Sequence, residues 1–348
     1  MTGTADSAAN MADGAFLATG EGQPGARVVV VTGASSGIGR ATALAFAERG
    51  DSVVIAARRE APLQELAAEC EQRGGRALAV PADTSDEAAV QELARRAVER
   101  FGRLDVWVNN AGVALFGRFE DLPAADFRQV LETNFFGYVY GARAALPHFR
   151  RRGRGVLINN ASINGVGGAP YATAYVAAKF AVRGFSESLR QELRGTDVSV
   201  CTILPASIDT PLFQHAGNYV GRAAKPLNPT YDPEQVARAI VHCADKPRRE
   251  VIVGNAGRTL ALLHSIAPAL YERTMAKQVE QDEFQDTPAP PSPGNLYEPV
   301  PAGTGASGGW KDGRSPSSPA RRLAIGAGIA APAALLGWSW LRLRRTHA

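Results

Sequence analysis

The chain has 348 residues, 45% of them hydrophobic and 21% charged, with a formal net charge of +4. This is ordinary globular composition, enough for one substantial core plus tails. The basic excess sits in clusters such as Arg150-Arg151-Arg152 and Arg342, Arg344 and Arg345 rather than in a stripe among exposed aromatics, so a nucleic-acid partner is not indicated. Cys70, Cys201 and Cys243 are isolated and odd in number, which argues against both a disulfide framework and a metal cluster; buried apolar thiols in a reducing compartment are expected. His148, His215, His242 and His264 lack metal-ligand spacing, and no metal site is expected.

In chain order, residues 1–26 are Ala/Gly-rich, with no basic start and no apolar run of signal-peptide length, and read as a disordered leader. Val28 to Val31 form a β-branched run that enters a glycine turn, followed by helical periodicity over Arg40 to Arg49. The unit then repeats. Strands are expected at Ser52 to Ala56, Ala77 to Val80, Leu104 to Val108, Gly155 to Asn159, Val198 to Ile203 and Glu250 to Gly254. Helices are expected at Ala61 to Gln72, Asp86 to Phe101, Asp126 to Phe149 and Tyr175 to Leu193. Strands alternating with helices imply an α/β fold, a Rossmann-like doubly wound parallel sheet of seven strands with helices on both faces. Ser207 to Asp232, irregular and rich in Pro, Gly and aromatics, has the length of a substrate-covering segment.

The catalytic domain is therefore expected over residues 27–285. Residues 286–320, dense in Pro, Gly and Ser, read as a linker that supplies no packed core. Leu323 to Leu341 is uncharged and bracketed by arginines, with Trp338 and Trp340 near one end. As a helix it would be roughly 28 Å long, about the thickness of a bilayer hydrocarbon core. A C-terminal hydrophobic helix over residues 321–345 is thus expected to attach a cytoplasmic catalytic domain to a membrane.

Several residue groups carry chemistry. Gly33, Gly37 and Gly39, with Ser35, Ser36 and Ile38 between them, fall between the first strand and the first helix. A missing Cβ there lets backbone approach a pyrophosphate at the positive helix end. After the second strand come Arg58 and Arg59, with no acidic residue to hold a ribose hydroxyl; arginine suits a 2′-phosphate, so NADP(H) is favoured over NAD(H). Tyr175 and Lys179 are four apart on one helical face, where an ammonium favours ionisation of a phenol. A phenol tuned in this way can exchange a proton with a hydroxyl or carbonyl, and the Ser162 hydroxyl would hold the same oxygen.

These motifs, in this order, resemble those of the short-chain dehydrogenase/reductase family over about Arg27 to Gly254: Thr32-Gly33-x-x-x-Gly37-Ile38-Gly39, Asp83, Asn109-Asn110-Ala111-Gly112, Asn134, Ser162 and Tyr175-x-x-x-Lys179. The resemblance implies that Asp83, with Thr84 beside it, contacts the adenine and that Asn110, Ala111 and Gly112 border the adenosine ribose. It further implies that Lys179 also bonds the nicotinamide ribose and that Asn134 holds a water joining Lys179 to solvent. Pro205, Ile208 and Thr210 would border the nicotinamide. The family often has Pro-Gly where this chain has Pro205-Ala206, which leaves the fine geometry of that pocket open.

The reaction so implied is hydride transfer between NADP(H) and a secondary alcohol or a ketone or aldehyde. Leu212, Phe213, Tyr219 and Tyr231 suggest an apolar pocket and a lipophilic substrate. A cofactor-sensing module without turnover is the alternative from another class, though the intact Ser-Tyr-Lys set speaks against it. Epimerase or dehydratase chemistry would call for a larger C-terminal substrate domain. The helices Asp126 to Phe149 and Tyr175 to Leu193 resemble the pair by which family members build a four-helix dimer interface, so a homo-oligomer is expected.

Overall fold

The computed structural model describes residues 26–311. The four valines of β1 (Val28–Thr32) are buried, as expected of a central parallel strand covered on both faces. The other strands are β2 (Ser52–Ala57), β3 (Arg76–Pro81), β4 (Val106–Asn109), β5 (Arg154–Asn160), β6 (Asp197–Pro205) and β7 (Glu250–Val253). All pairings are parallel, in the order β7-β6-β5-β4-β1-β2-β3. The strand order reverses between β1 and β4, which opens a crevice beyond their carboxyl ends.

Helices α1 (Gly37–Ala47) and α2 (Glu60–Gln72) cover one face, joined later by Pro233–Asp245; Phe46, Leu63, Leu66, Val236 and Ile240 pack there. The opposite face is covered by α3 (Glu87–Phe101) and by two long helical segments described below, with Leu93, Trp107, Phe149, Leu157 and Leu189 in its core. Cys70, Cys201 and Cys243 are buried free thiols. Among the described residues no His, Cys, Asp and Glu cluster could hold a metal.

The helix expected over Asp126 to Phe149 is built in three parts. α4 (Ala124–Leu131) runs into a π turn at Glu132–Phe136 and then into α5 (Gly137–Arg152). Such a bulge re-aims the side chains it carries, and Asn134 is one of them. α6 (Thr173–Glu192) carries Tyr175 and Lys179, and α7 (Pro233–Asp245) precedes β7. Two further helices, α8 (Asn255–Ile266) and α9 (Pro268–Asp282), cover the mouth of the crevice. No helix is expected over that stretch from sequence.

The largest difference from expectation follows α9. Phe284–Pro288 pairs antiparallel with Arg222–Ala224, and the chain continues as a strap to Lys311, packed on the domain. Leu296 is fully buried beside Val113, Leu115 and Val130. Over residues 286–311 the linker reading is therefore corrected: Pro and Gly here stiffen and turn a segment whose isolated apolar residues, Leu296 and Trp310, dock into the domain. The rest of that stretch, the leader up to residue 25 and the apolar stretch Leu323–Leu341 lie outside the described residues. Among the described residues no helix is long and apolar enough to cross a membrane.

Candidate active site

The crevice at the carboxyl ends of the strands opens into one continuous cavity of about 1720 Å³. A single drug-sized ligand needs roughly 300–1,000 Å³, so this cavity can take a dinucleotide and a substrate together. Its walls include the glycine turn, Arg58 and Arg59, Asp83 and Thr84, Asn110 to Gly112, Ser162, Tyr175 and Lys179, and Pro205, Ile208 and Thr210. Leu212 and Phe213 also line it, whereas Gly39 and Asn134 lie behind the wall, and Tyr219 and Tyr231, expected in the apolar pocket, bond instead to Asp126 and to the Ala256 N–H.

The glycines are required by geometry. Gly37, at the start of α1, has φ +58°, a conformation that side chains other than Gly rarely adopt. A Cβ on Gly39 would fall 2.5 Å from Asn110 Nδ2 and into the Gly33 carbonyl, so the helix can lie against the strand end only as glycine. The turn therefore brings backbone, without side chains, to the cavity wall at a helix N-terminus.

Behind the candidate catalytic residues runs a hydrogen-bonded chain. Lys179 Nζ, 3% exposed, donates to the Asn160 carbonyl at 3.0 Å and to Tyr138 Oη at 3.4 Å. Tyr138 Oη donates to the same carbonyl at 2.8 Å. Asn160 Nδ2 donates to Asn110 Oδ1, and Asn110 Nδ2 donates to the Thr32 and Gly33 carbonyls. One network therefore ties the lysine to the glycine turn across β5, β4 and β1. Tyr138 and Asn160 were not singled out from sequence; both are buried polar groups, and only their fold neighbours give them this role.

Lys179 Nζ lies 5.4 Å from the centre of the Tyr175 ring. Burial pushes the lysine down to about 7. Burial likewise pushes the Tyr175 phenol up to about 12, opposed by the Ser162 hydroxyl and reinforced by Glu283. This reverses the sequence expectation of a lowered phenol: in a dry pocket desolvation outweighs a neighbouring amine whose own charge burial disfavours. At neutral pH Tyr175 is consequently a phenol with a proton to give. Ser162 sits at the end of β5, and its Oγ accepts from the Asn164 N–H at 3.1 Å while facing the cavity.

Asn134 is fully buried in the π turn, and its amide is used at both ends, accepting from Val113 N–H and donating to Val113 O at 2.8 Å each. It clamps the segment after β4. Each end of the amide spends one of its two hydrogen-bonding positions on Val113. Asp83 lines the cavity, its Oδ1 accepting from the N–H and Oγ of Ser85. The Ala206 methyl faces Gly254 and Gly257, whose absent side chains make room for it. That is how the fold accommodates alanine after Pro205.

The arginines meet the strap. Arg58 donates to the carbonyls of Asn295 at 2.6 Å and Tyr297 at 2.8 Å, with a longer contact to Leu296. Arg59 donates to those of Val300, Pro301 and Ala302 and to Ser35 Oγ. Gly37 N–H donates to the Gly305 carbonyl at 3.0 Å. Farther along, Asp209 accepts from the N–H groups of Gly308 and Trp310, and Trp310 Nε1 donates to the Thr210 carbonyl. Carbonyl partners satisfy the guanidinium N–H groups without neutralising their charge. Burial and the adjacent Arg58 both disfavour the charge on Arg59. Both guanidinium groups line the cavity, and a phosphate reaching them would have to take these N–H groups from the strap.

The family model for short chain dehydrogenases matches residues 27–219. The chain belongs to the short-chain dehydrogenase/reductase family. Members use NAD(P)(H), and this chain is accordingly an oxidoreductase of that family. It is 39% identical over 320 residues to the uncharacterized oxidoreductase YxnA of Bacillus subtilis, with 90% of each chain covered, a span that takes in both the domain and the strap. A short-chain dehydrogenase from Streptomyces avermitilis is similar in structure, with a TM-score of 0.62 at 31% identity, covering 74% of this chain and 97% of that one. An alcohol dehydrogenase from Thermococcus sibiricus, solved in complex with 5-hydroxy-NADP, has a TM-score of 0.57 at 31% identity and covers 65% of this chain and 95% of that one.

Proposed function

We propose that this protein interconverts a secondary alcohol and a ketone, or reduces an aldehyde, using NADP(H), on a lipophilic substrate. The observation that carries the reading is the convergence of Ser162, Tyr175 and Lys179 on one cavity whose far end holds Arg58 and Arg59. The glycine turn, Asn110 to Gly112 and the arginines fit a dinucleotide with a 2′-phosphate, and Pro205, Ile208 and Thr210 border the nicotinamide end. When bound there, the nicotinamide supplies or accepts the hydride.

The chain's own residues manage orientation and the proton. Ser162 Oγ and Tyr175 Oη hold the substrate oxygen. In the reducing direction Tyr175 gives its phenolic proton to that oxygen as negative charge develops on it. The phenolate left behind favours the ammonium form of Lys179, raising a pKa that burial alone holds near 7. Leu212, Phe213, Leu227, Leu263 and Met275 line the substrate half and exclude water.

NADPH oxidation across a panel of lipophilic ketones and aldehydes tests the reading; at least one should be reduced, with NADH much the poorer donor. A protein that binds NADPH and oxidises it with none of them would be a sensing module instead. Exposed Phe136 in the π turn and Phe180 on α6, 39% and 41% accessible, support a homo-oligomer through these helices, which sedimentation would detect. Attachment to a membrane through Leu323–Leu341 rests on sequence alone. Full-length protein should then resist an alkaline carbonate wash, and recovery wholly in the soluble fraction would remove that part of the reading.

A further inference from the structure

Where Leu227, Leu263, Tyr271 and Met275 line the cavity, the wall also carries a buried acid, Glu283. Glu283 follows α9, and its backbone is held from both sides: its N–H donates to the Val279 carbonyl at 3.0 Å and its own carbonyl accepts from Lys225 N–H at 2.8 Å. The side chain lines the cavity and is 8% exposed, and its Oε2 has no hydrogen-bond partner. A carboxyl group buried without a partner is costly. It is close enough to Tyr175 for its charge to act on the phenol. Leu227, Tyr271 and Met275 lie in the same wall.

Burial pushes the Glu283 carboxyl up to about 8, so at neutral pH it is a protonated acid with one donor and spare acceptors. In a pocket of this kind, a polar group left unpaired by one ligand and paired by another is the strongest available discriminator. A plain hydrocarbon tail would seal Glu283 away unpaired. A hydroxyl could both donate to it and accept from it.

Resting on the carbonyl-reductase reading above, we propose that Glu283 determines substrate specificity by hydrogen bonding a second polar group, a hydroxyl, on an otherwise apolar ketone or alcohol whose reacting oxygen lies on Ser162 and Tyr175. The substrate class is thus a lipophilic hydroxyketone and the diol it interconverts with.

The test compares methyl octyl ketone with its α-, β- and γ-hydroxy derivatives, using NADPH, on the wild type, Glu283→Gln and Glu283→Leu. The wild type should favour at least one hydroxylated ketone by about tenfold or more in kcat/KM, mainly through KM. Glu283→Gln, which keeps a donor and an acceptor, should retain the preference. Glu283→Leu should lose it and accept the parent ketone better. Unchanged NADPH binding by both variants establishes that they are folded. Equal or better use of the parent ketone by the wild type, or an undiminished hydroxyl preference in Glu283→Leu, overturns the proposal. Calorimetric titration of the same compounds into the protein with NADP+ reads the preference without turnover. Absence of any ketone reduction therefore defeats the enzymatic reading, while the binding ratio still decides the role of Glu283.

Discussion

The carboxylate of Asp209 and the backbone N–H of Trp310 are 101 residues apart in the chain and joined by a 3.0 Å hydrogen bond. Asp209 follows β6 and is 3% exposed, so the strap is fastened to the loop whose Ile208 and Thr210 line the cavity. The same strap reaches back over Arg58 and Arg59. Both ends of the cavity thereby depend on residues beyond the expected domain boundary at Gln285.

Leu296→Ala should destabilise the protein by about 2–5 kcal/mol, the usual cost of truncating a fully buried leucine. Denaturant unfolding measures it. A cost below about 0.5 kcal/mol would mean that the strap is not packed in solution. By the same argument, ending the chain after Gln285 should lower Tm and strip the carbonyl partners from both arginines, rather than release an intact enzyme.

Arg58→Asp should weaken NADPH binding by roughly 1.5–3 kcal/mol, through loss of a charge-assisted contact and added repulsion. NADH binding should change far less. Tighter binding of NADH than NADPH by the unaltered protein, read by fluorescence titration, would reverse the cofactor assignment.

Glu283 gives a pH-dependent stability. The folded protein holds its proton up to about pH 8, whereas the unfolded chain releases it near the ordinary 4.5. Its contribution is therefore fully present below about pH 4.5 and is lost as pH rises towards 8. Lys179, pushed down from 10.5 to about 7, acts oppositely between those values, because there the unfolded chain holds the extra proton. The difference in Tm between wild type and Glu283→Gln isolates the acid: the wild type should lose ground steadily from pH 5 to pH 8. A flat difference would mean that Glu283 is ionised and solvated.

Much of this was legible in the sequence because it is local. The valine run, the glycine turn and the four-residue spacing of Tyr175 and Lys179 each follow from backbone geometry that neighbouring residues determine. The seven strands follow from the same reasoning. The strap was not legible, since Pro/Gly/Ser composition reports that a segment cannot form its own core and says nothing of whether it docks on another. Leu296, Tyr297 and Trp310, apolar or aromatic residues spaced through that segment, were the available signal. The Tyr175 environment was misjudged for a related reason: spacing places a lysine beside a phenol, but only the packed fold shows how dry both are. The clamp between Asn134 and Val113 likewise depends on a π turn that no periodicity reveals.

The central claim is that Tyr175 is the proton donor for reduction of a carbonyl group, and Tyr175→Phe tests it most directly because it keeps the ring and removes the proton. With the best ketone from the panel, NADPH binding should be unchanged while turnover falls by ~10² or more. Turnover at the wild-type rate in Tyr175→Phe would contradict the account and move the role to another residue.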